Sequence, residues 1–219
     1  MRTALIAGAS GLVGGCLLAR LLAAPEYDRV IAVGRRRLDL EHPKLVQLTA
    51  DFAALEKLPK PLGGDDAFCC LGTTWRRAGS REAFRAVDHG AVLAFAWAAR
   101  RGGVKRFFTI SSLGADPQAR AFYNRVKGET EDALEVLGFG TLAIFRPSLL
   151  LGPRREFRLG EKLTAGLLWV AEPLLLGNLR RYRAVAADAV AGAMLRCSFG
   201  EQGQGVLIFE SDEIQDLGV

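Results

Sequence analysis

The chain has 219 residues, half of them hydrophobic and 24% charged, with a net charge of +5. That is enough chain to bury one sizeable core, and the charge fraction is too ordinary for a disordered protein. The arginines are scattered, with tight runs only at Arg35-Arg36-Arg37 and Arg180-Arg181, so a solvated basic surface is expected and nucleic-acid binding is not.

Taken in order, apolar strand-like segments alternate with helical ones. Thr3–Ala7 reads as a short strand that runs into Gly8-Ala9-Ser10-Gly11-Leu12-Val13-Gly14, a glycine-punctuated turn opening a helix. Val30–Val33 and Leu45–Leu48 are the second and third strands, and Asp66–Leu71 is the fourth, closed by Gly72. Ser80 to Arg101 has helical periodicity, with Phe84, Val87, Ala91, Phe95 and Ala98 on one side. Ser80 is its expected N-cap and Gly102-Gly103 its stop. A fifth strand, Phe107–Ile110, precedes a helix from about Gln118 to Leu137. A sixth, Leu142–Phe145, leads into Arg146-Pro147. Residues 153–185 break the rhythm and read as an irregular or helical insertion. A helix over Ala186–Ser198 and a strand over Val206–Phe209 complete the chain. The alternation predicts an α/β fold of one domain, residues 1–219: a doubly wound parallel sheet, Rossmann-like, with 153–185 as a substrate-side insertion.

The four cysteines (16, 69, 70 and 197) form no C-x-x-C pair and have apolar neighbours, and His42 and His89 are the only histidines. No metal site is expected, and the thiols read as reduced and mostly buried. The amino terminus enters a strand at once, so no signal peptide is expected. The longest apolar stretch, Leu163 to Leu176, is broken by Glu172-Pro173 and is too short to span a bilayer. These readings together predict a cytoplasmic protein with no transmembrane segment.

Three motifs carry chemistry. A helix amino terminus offers unpaired N–H groups and partial positive charge, and glycine lets the backbone approach a pyrophosphate closely, so Gly8, Gly11 and Gly14 read as a phosphate cradle. Ser111-Ser112 lies at the end of the fifth strand, at the sheet edge where ligands bind, although serine there also serves as a turn cap. Tyr123 and Lys127 are four residues apart, which places phenol and ammonium on one helix face about 5–6 Å apart at Cβ. A cation beside a phenol stabilises the phenolate, which makes a usable acid/base group, although Tyr–Lys at this spacing is also a common helix pair.

These motifs occur together with Cys70-Leu71-Gly72-Thr73-Thr74, Phe84-Arg85-Ala86-Val87-Asp88, Ser111-Ser112-Leu113-Gly114-Ala115-Asp116 and Phe145-Arg146-Pro147-Ser148. The whole pattern resembles the short-chain dehydrogenase/reductase superfamily, in the atypical branch of Tat-interacting-protein-2-like oxidoreductases. The resemblance implies that Tyr123 is the acid/base and that Lys127 binds the nicotinamide ribose. It makes Ser112 the group that orients the substrate carbonyl, with Ser111 as rival. It places Ser10, Leu12 and Val13 at the pyrophosphate, Gly72 and Thr73 along the cofactor, Asp51 and Phe52 at the adenine, and Pro147 and Ser148 near the nicotinamide. For Asp51-Phe52, a helix cap followed by a core aromatic is an equal alternative. Where many relatives carry Asn on the fourth helix, this chain has Asp88.

A carboxylate about 20 residues past the glycines would favour NAD; here Gly34-Arg35-Arg36-Arg37 stands there instead. Guanidinium binds a 2′-phosphate with charge-assisted, bidentate geometry, so NADP(H) is expected, with Arg35 the principal contact and Arg36 the second. The expected activity is reduction of a small-molecule carbonyl or oxidation of an alcohol, with a homodimer possible on resemblance. The alternatives are an NADPH-binding regulator with little turnover, or an epimerase that retains its nicotinamide. In the insertion, Arg154, Arg155, Arg158 and Arg180 could meet an anionic substrate or be surface charge, and the leucines around Trp169 could line a pocket, dock a partner or form core.

Overall fold

A computed structural model describes residues 2–57, 61–152, 177–200 and 203–218. Seven parallel strands form one sheet: β1 (Arg2–Ala7), β2 (Tyr27–Gly34), β3 (Leu45–Thr49), β4 (Asp66–Cys69), β5 (Arg106–Ile110), β6 (Thr141–Arg146) and β9 (Gly205–Glu210), in the order β3-β2-β1-β4-β5-β6-β9. The chain winds outward from β1 to β3, then returns to lay β4 on the other side of β1. The direction of winding therefore reverses between β1 and β4, and their carboxyl ends open the crevice where open α/β sheets take ligands. A two-residue pair, β7 (Leu150–Leu151) and β8 (Val185–Ala186), joins the two ends of the segment read as an insertion. Its middle, residues 153–176, lies outside the described residues, and with it Arg154, Arg155, Arg158 and the leucines around Trp169.

Alternation along the strands separates two cores. Ala4, Ile6, Phe68, Phe108, Ala143 and Phe145 face α1 (Leu12–Ala23), α6 (Ala187–Phe199) and Ile214 of α7 (Ser211–Gly218). Leu5, Ala7, Ala67, Cys69, Phe107, Leu142 and Ile144 face the opposite layer. That layer is made of α4 (Val92–Arg101), the 3-10 turn Phe52–Lys57 and Leu134 of α5 (Phe122–Val136). The central strands β1, β4, β5 and β6, largely buried on both faces, are near-continuous apolar runs, as parallel sheets require, while the edge strands β3 and β9 are partly exposed.

Three local departures from the sequence reading have physical causes. The helix expected over 80–101 is divided into α3 (Arg81–Arg85), a π-helical turn at Ala86–Ala91, and α4. Ser80 does cap it, accepting from the Ala83 N–H at 3.1 Å, and Gly102 ends it where a Cβ would meet the Leu62 carbonyl at 2.0 Å. The helix expected from Gln118 begins at Phe122, because Asp116 captures the preceding N–H groups: its side chain accepts from Gln118 at 2.7 Å and its carbonyl from Ala119 at 3.0 Å. A short additional helix, α2 (Trp75–Ala78), capped by Thr74, and the terminal α7 carry too few apolar repeats for periodicity to reveal them.

Candidate active site

The turn after β1 is shaped by backbone contact. Gly8 has φ +82°, and a Cβ there would lie 2.5 Å from the Cys70 carbonyl oxygen beyond β4. A Cβ at Gly14 would lie 2.1 Å from the Gly8 carbonyl, so the first turn of α1 packs directly on the loop. Gly11 is the N-cap and supplies no side chain to the orphan N–H groups, and no acidic residue stands in the first turn. Those donors and the helix dipole suit an anion, so the residues present fit a dinucleotide diphosphate. Gly152, directly after β7, is tucked against Leu12 at the same helix terminus.

The ends of the neighbouring strands complete the crevice. Arg35 and Arg36 follow β2, exposed and without an ion-pair partner among the described residues, while Arg37 lies 3.9 Å from Glu41. The pairing of Ala7 with Val33 sets this arginine run beside the glycine turn. Asp51 caps the 3-10 turn, accepting from Ala53 at 3.2 Å, and the Phe52 ring is buried in the core. Only the backbone of Phe52 is thus left for a base. Ser148 spends its hydroxyl on the Arg183 carbonyl, and its N–H donates to Ser211 at 3.0 Å, while the Pro147 carbonyl accepts from the Leu113 N–H at 3.0 Å. Pro147 and Ser148 therefore brace the strand-end loops through groups already engaged. Arg180, at the far end of the insertion, pairs with Asp216 at 2.7 Å.

Around α5, Tyr123 and Lys127 meet residues of the helix and loop that follow β4. Tyr123 is 38% exposed, with its ring 5.4 Å from Phe84, and it acts electrostatically on Lys127. Lys127 is buried, and its ammonium lies 2.7 Å from an Asp88 carboxylate oxygen. The second Asp88 oxygen accepts from the Thr73 N–H at 2.8 Å. A Cβ at Gly72 would stand 3.4 Å from that carboxylate and 3.9 Å from the ammonium, so this corner holds Gly72, Thr73, Asp88 and Lys127 in contact. Burial is the strongest single influence and opposes the charge on Lys127, but Asp88, Tyr123 and Cys69 together outweigh it and raise the lysine above its ordinary range.

Ser111 and Ser112 are both buried, and neither hydroxyl has a hydrogen-bond partner among the described residues. Ser111 lines a small internal cleft with Asp88, Thr109, Lys127, Thr130 and Glu131; Ser112 does not. Glu131, one turn beyond Lys127, is bound by the Arg146 guanidinium at the end of β6. Asp88 stands where many relatives carry Asn. Its signal was a lone acid on the apolar side of a helix next to Val87 and Ala91, a position that a carboxylate occupies only when paired.

Residues 8–137 match the family described as NAD(P)H-binding. The rat protein HTATIP2 is 41% identical over 166 residues, covering 74% of this chain and 68% of that protein. The fmp52 protein of Emericella nidulans is 31% identical and is covered, like this chain, over 98% of its length. Among solved structures, the Bordetella bronchiseptica enzyme WbmH in complex with NAD+ superposes with a TM-score of 0.70 at 20% identity, covering 96% of this chain and 76% of that one, which establishes the fold alone. Several fungal relatives are named as mitochondrial proteins, which corrects the expectation of a cytoplasmic location and points to mitochondria. Free thiols bear on a compartment's redox state and do not specify an address. Among the described residues, no helix is long and apolar enough to cross a membrane.

Proposed function

From the premise that this chain belongs to the NAD(P)H-binding family, in its HTATIP2-like branch, and takes a nicotinamide cofactor in a Rossmann-like fold, we propose that it is an NADP(H)-dependent oxidoreductase acting on a small carbonyl compound or the corresponding alcohol. The observation that carries this reading is the corner on α5. A half-open phenol stands one turn from a buried ammonium, and that ammonium shares a small cleft with strand-end Ser111, whose hydroxyl, like that of Ser112, has no partner among the described residues. A merely structural helix pair has no use for unsatisfied hydroxyls, because each costs about 1–3 kcal/mol when buried unpaired.

When bound, the nicotinamide supplies or accepts the hydride at the substrate carbon. The chain's own residues manage the oxygen and its proton. Ser112 donates a hydrogen bond to the substrate oxygen and orients it. Tyr123, exposed enough to meet a ligand, gives that oxygen its proton in the reduction and takes it back in the oxidation. Lys127 stabilises the phenolate left behind and offers its remaining N–H groups to the ribose hydroxyls. Gly8, Ser10, Gly11, Leu12, Val13 and Gly14 hold the diphosphate, with Gly72, Thr73, Pro147 and Ser148 along the cofactor and Asp51 and Phe52 near its base. Arg35 and Arg36, without an ion-pair partner among the described residues, meet the 2′-phosphate from the end of β2.

The test is Tyr123→Phe, assayed for NADPH consumption against a panel of aldehydes and ketones. Turnover should fall by about 10²–10⁴-fold, with NADPH affinity nearly unchanged. Turnover at the wild-type rate would overturn the proposal.

A further inference from the structure

We propose that Asp88 is the positioning residue of this site: its carboxylate holds the Lys127 ammonium in place with one oxygen and the Gly72–Thr73 loop with the other, so that lysine and cofactor loop form one rigid unit. The inference rests on the reading that Lys127 and this loop serve a nicotinamide cofactor. The distances are 2.7 Å to the lysine nitrogen and 2.8 Å to the Thr73 N–H, and Asp88 is 1% exposed.

The π-helical turn at Ala86–Ala91 contains Asp88 and interrupts the regular helical ladder at the point where it meets α5. Such turns insert a residue and re-aim side chains. Here the backbone is itself anchored to the lysine's helix: the Thr130 hydroxyl shares its one proton between the Val126 carbonyl at 2.7 Å and the Asp88 carbonyl at 3.1 Å. Asp88 is thereby fixed from behind while its carboxylate reaches forward to both partners. A buried lysine keeps its proton only with a counter-ion. The groups acting on Lys127 are Asp88 from the π-turn, Tyr123 from its own helix and Cys69 from β4. Glu131, which lines the same cleft, is already committed to Arg146. Asp88 is thus the carboxylate available to hold the charge. The arrangement is a direct ion pair, and removing one negative charge has a consequence that a neutral positioning residue would lack.

The experiment compares wild type with Asp88→Asn, which preserves shape and removes the charge. In protein carrying isotope-labelled lysine, the Lys127 side-chain signal, assigned with Lys127→Arg, should titrate at a lower pH in the variant. NADPH affinity, measured by fluorescence titration from pH 6 to 10, should be nearly flat in wild type. In the variant it should weaken by about tenfold per pH unit above the new lysine midpoint. A purely structural role for Asp88 would weaken binding equally at every pH. If the single variant fails to fold, Asp88→Asn combined with Lys127→Met, which removes both charges, should be more stable than Lys127→Met alone, because the latter strands a buried carboxylate. An unchanged lysine midpoint, or a double variant no more stable than Lys127→Met, would overturn the inference. A lowered midpoint in a protein whose wild type does not bind NADPH would leave the ionic tie standing and remove the nucleotide reading instead.

Discussion

At the residue scale, charge and its partners decide roles that residue type leaves open. Lys127 was legible as one half of a Tyr–Lys pair, but spacing could not show that its nearest charge comes from another element, at 2.7 Å. The serine pair was legible as a strand end; only the structure shows that Ser111 lines the internal cleft with Lys127 and that both hydroxyls are buried without a partner among the described residues. Arg35 is the test of cofactor choice. With no competing carboxylate among the described residues, Arg35→Ala should lower NADPH affinity by the worth of a charge-assisted hydrogen bond, about 1.5–3 kcal/mol, and leave NADH affinity untouched. Parallel titrations with the two nucleotides would show this. A preference for NADH unaffected by the substitution would refute the assignment.

At the scale of elements, the glycine turn is a matter of clearance. The alternatives at α1 are sharply different: a Cβ at Gly14 would meet the Gly8 carbonyl at 2.1 Å, whereas one at Gly15 would meet the Ala9 carbonyl at an ordinary 3.7 Å. Gly14→Ala should therefore destabilise the protein by about 3 kcal/mol, since backbone has to move, and should weaken NADPH binding with it. Gly15→Ala should instead gain about 0.5–1 kcal/mol from helix propensity. Urea unfolding of both variants would separate the two effects, and equal destabilisation would show that the loop and helix are not packed as described. Clearance also requires Gly128 on α5, where a Cβ would fall 2.2 Å from the Pro117 nitrogen and push the Asp116 turn away from Tyr123's helix.

At the scale of the whole molecule, the edge of the sheet opposite the crevice is tied by one buried carboxylate. Asp66 is fully buried at the start of β4 and is bound by Arg2 of β1, by Arg106 of β5 at 2.6 Å and by the Tyr27 hydroxyl of β2 at 2.6 Å. Both arginines also donate to the Ser198 carbonyl of α6 at 3.0 Å. Asp66→Asn should cost about 3–5 kcal/mol, because two partly buried guanidinium groups lose their shared partner. Stability should also fall in alkali. Burial pushes the Cys69 thiol up to about 12 and the Cys197 thiol up to about 11, and Lys127 too is raised. The folded protein thus keeps protons that the unfolded chain releases, first near pH 8.5 at the thiols and then near 10.4 at the lysine. Unfolding free energy should rise with pH through the ordinary histidine range, because burial lowers the His89 imidazole, and should decline above about pH 8.5, and Cys69→Ala should flatten the first part of that decline. Native Cys69 and Cys197 should resist thiol reagents until the protein unfolds.

The amino-acid sequence by itself determined the alternation of strands and helices, the parallel sheet, the glycine turn and the helical phase of Tyr123 and Lys127. All of these are local periodicities of 2.0 and 3.6 residues or short-range turn chemistry. Tertiary structure alone decided that Asp88, 39 positions before Lys127, supplies its counter-ion and that Asp66 gathers Arg2, Tyr27 and Arg106. It also decided that Phe52 belongs to the core. These depend on which strand ends the doubly wound topology sets side by side, and on a π-turn that shifts one carboxylate off its regular helical bearing, neither of which leaves a period in the chain.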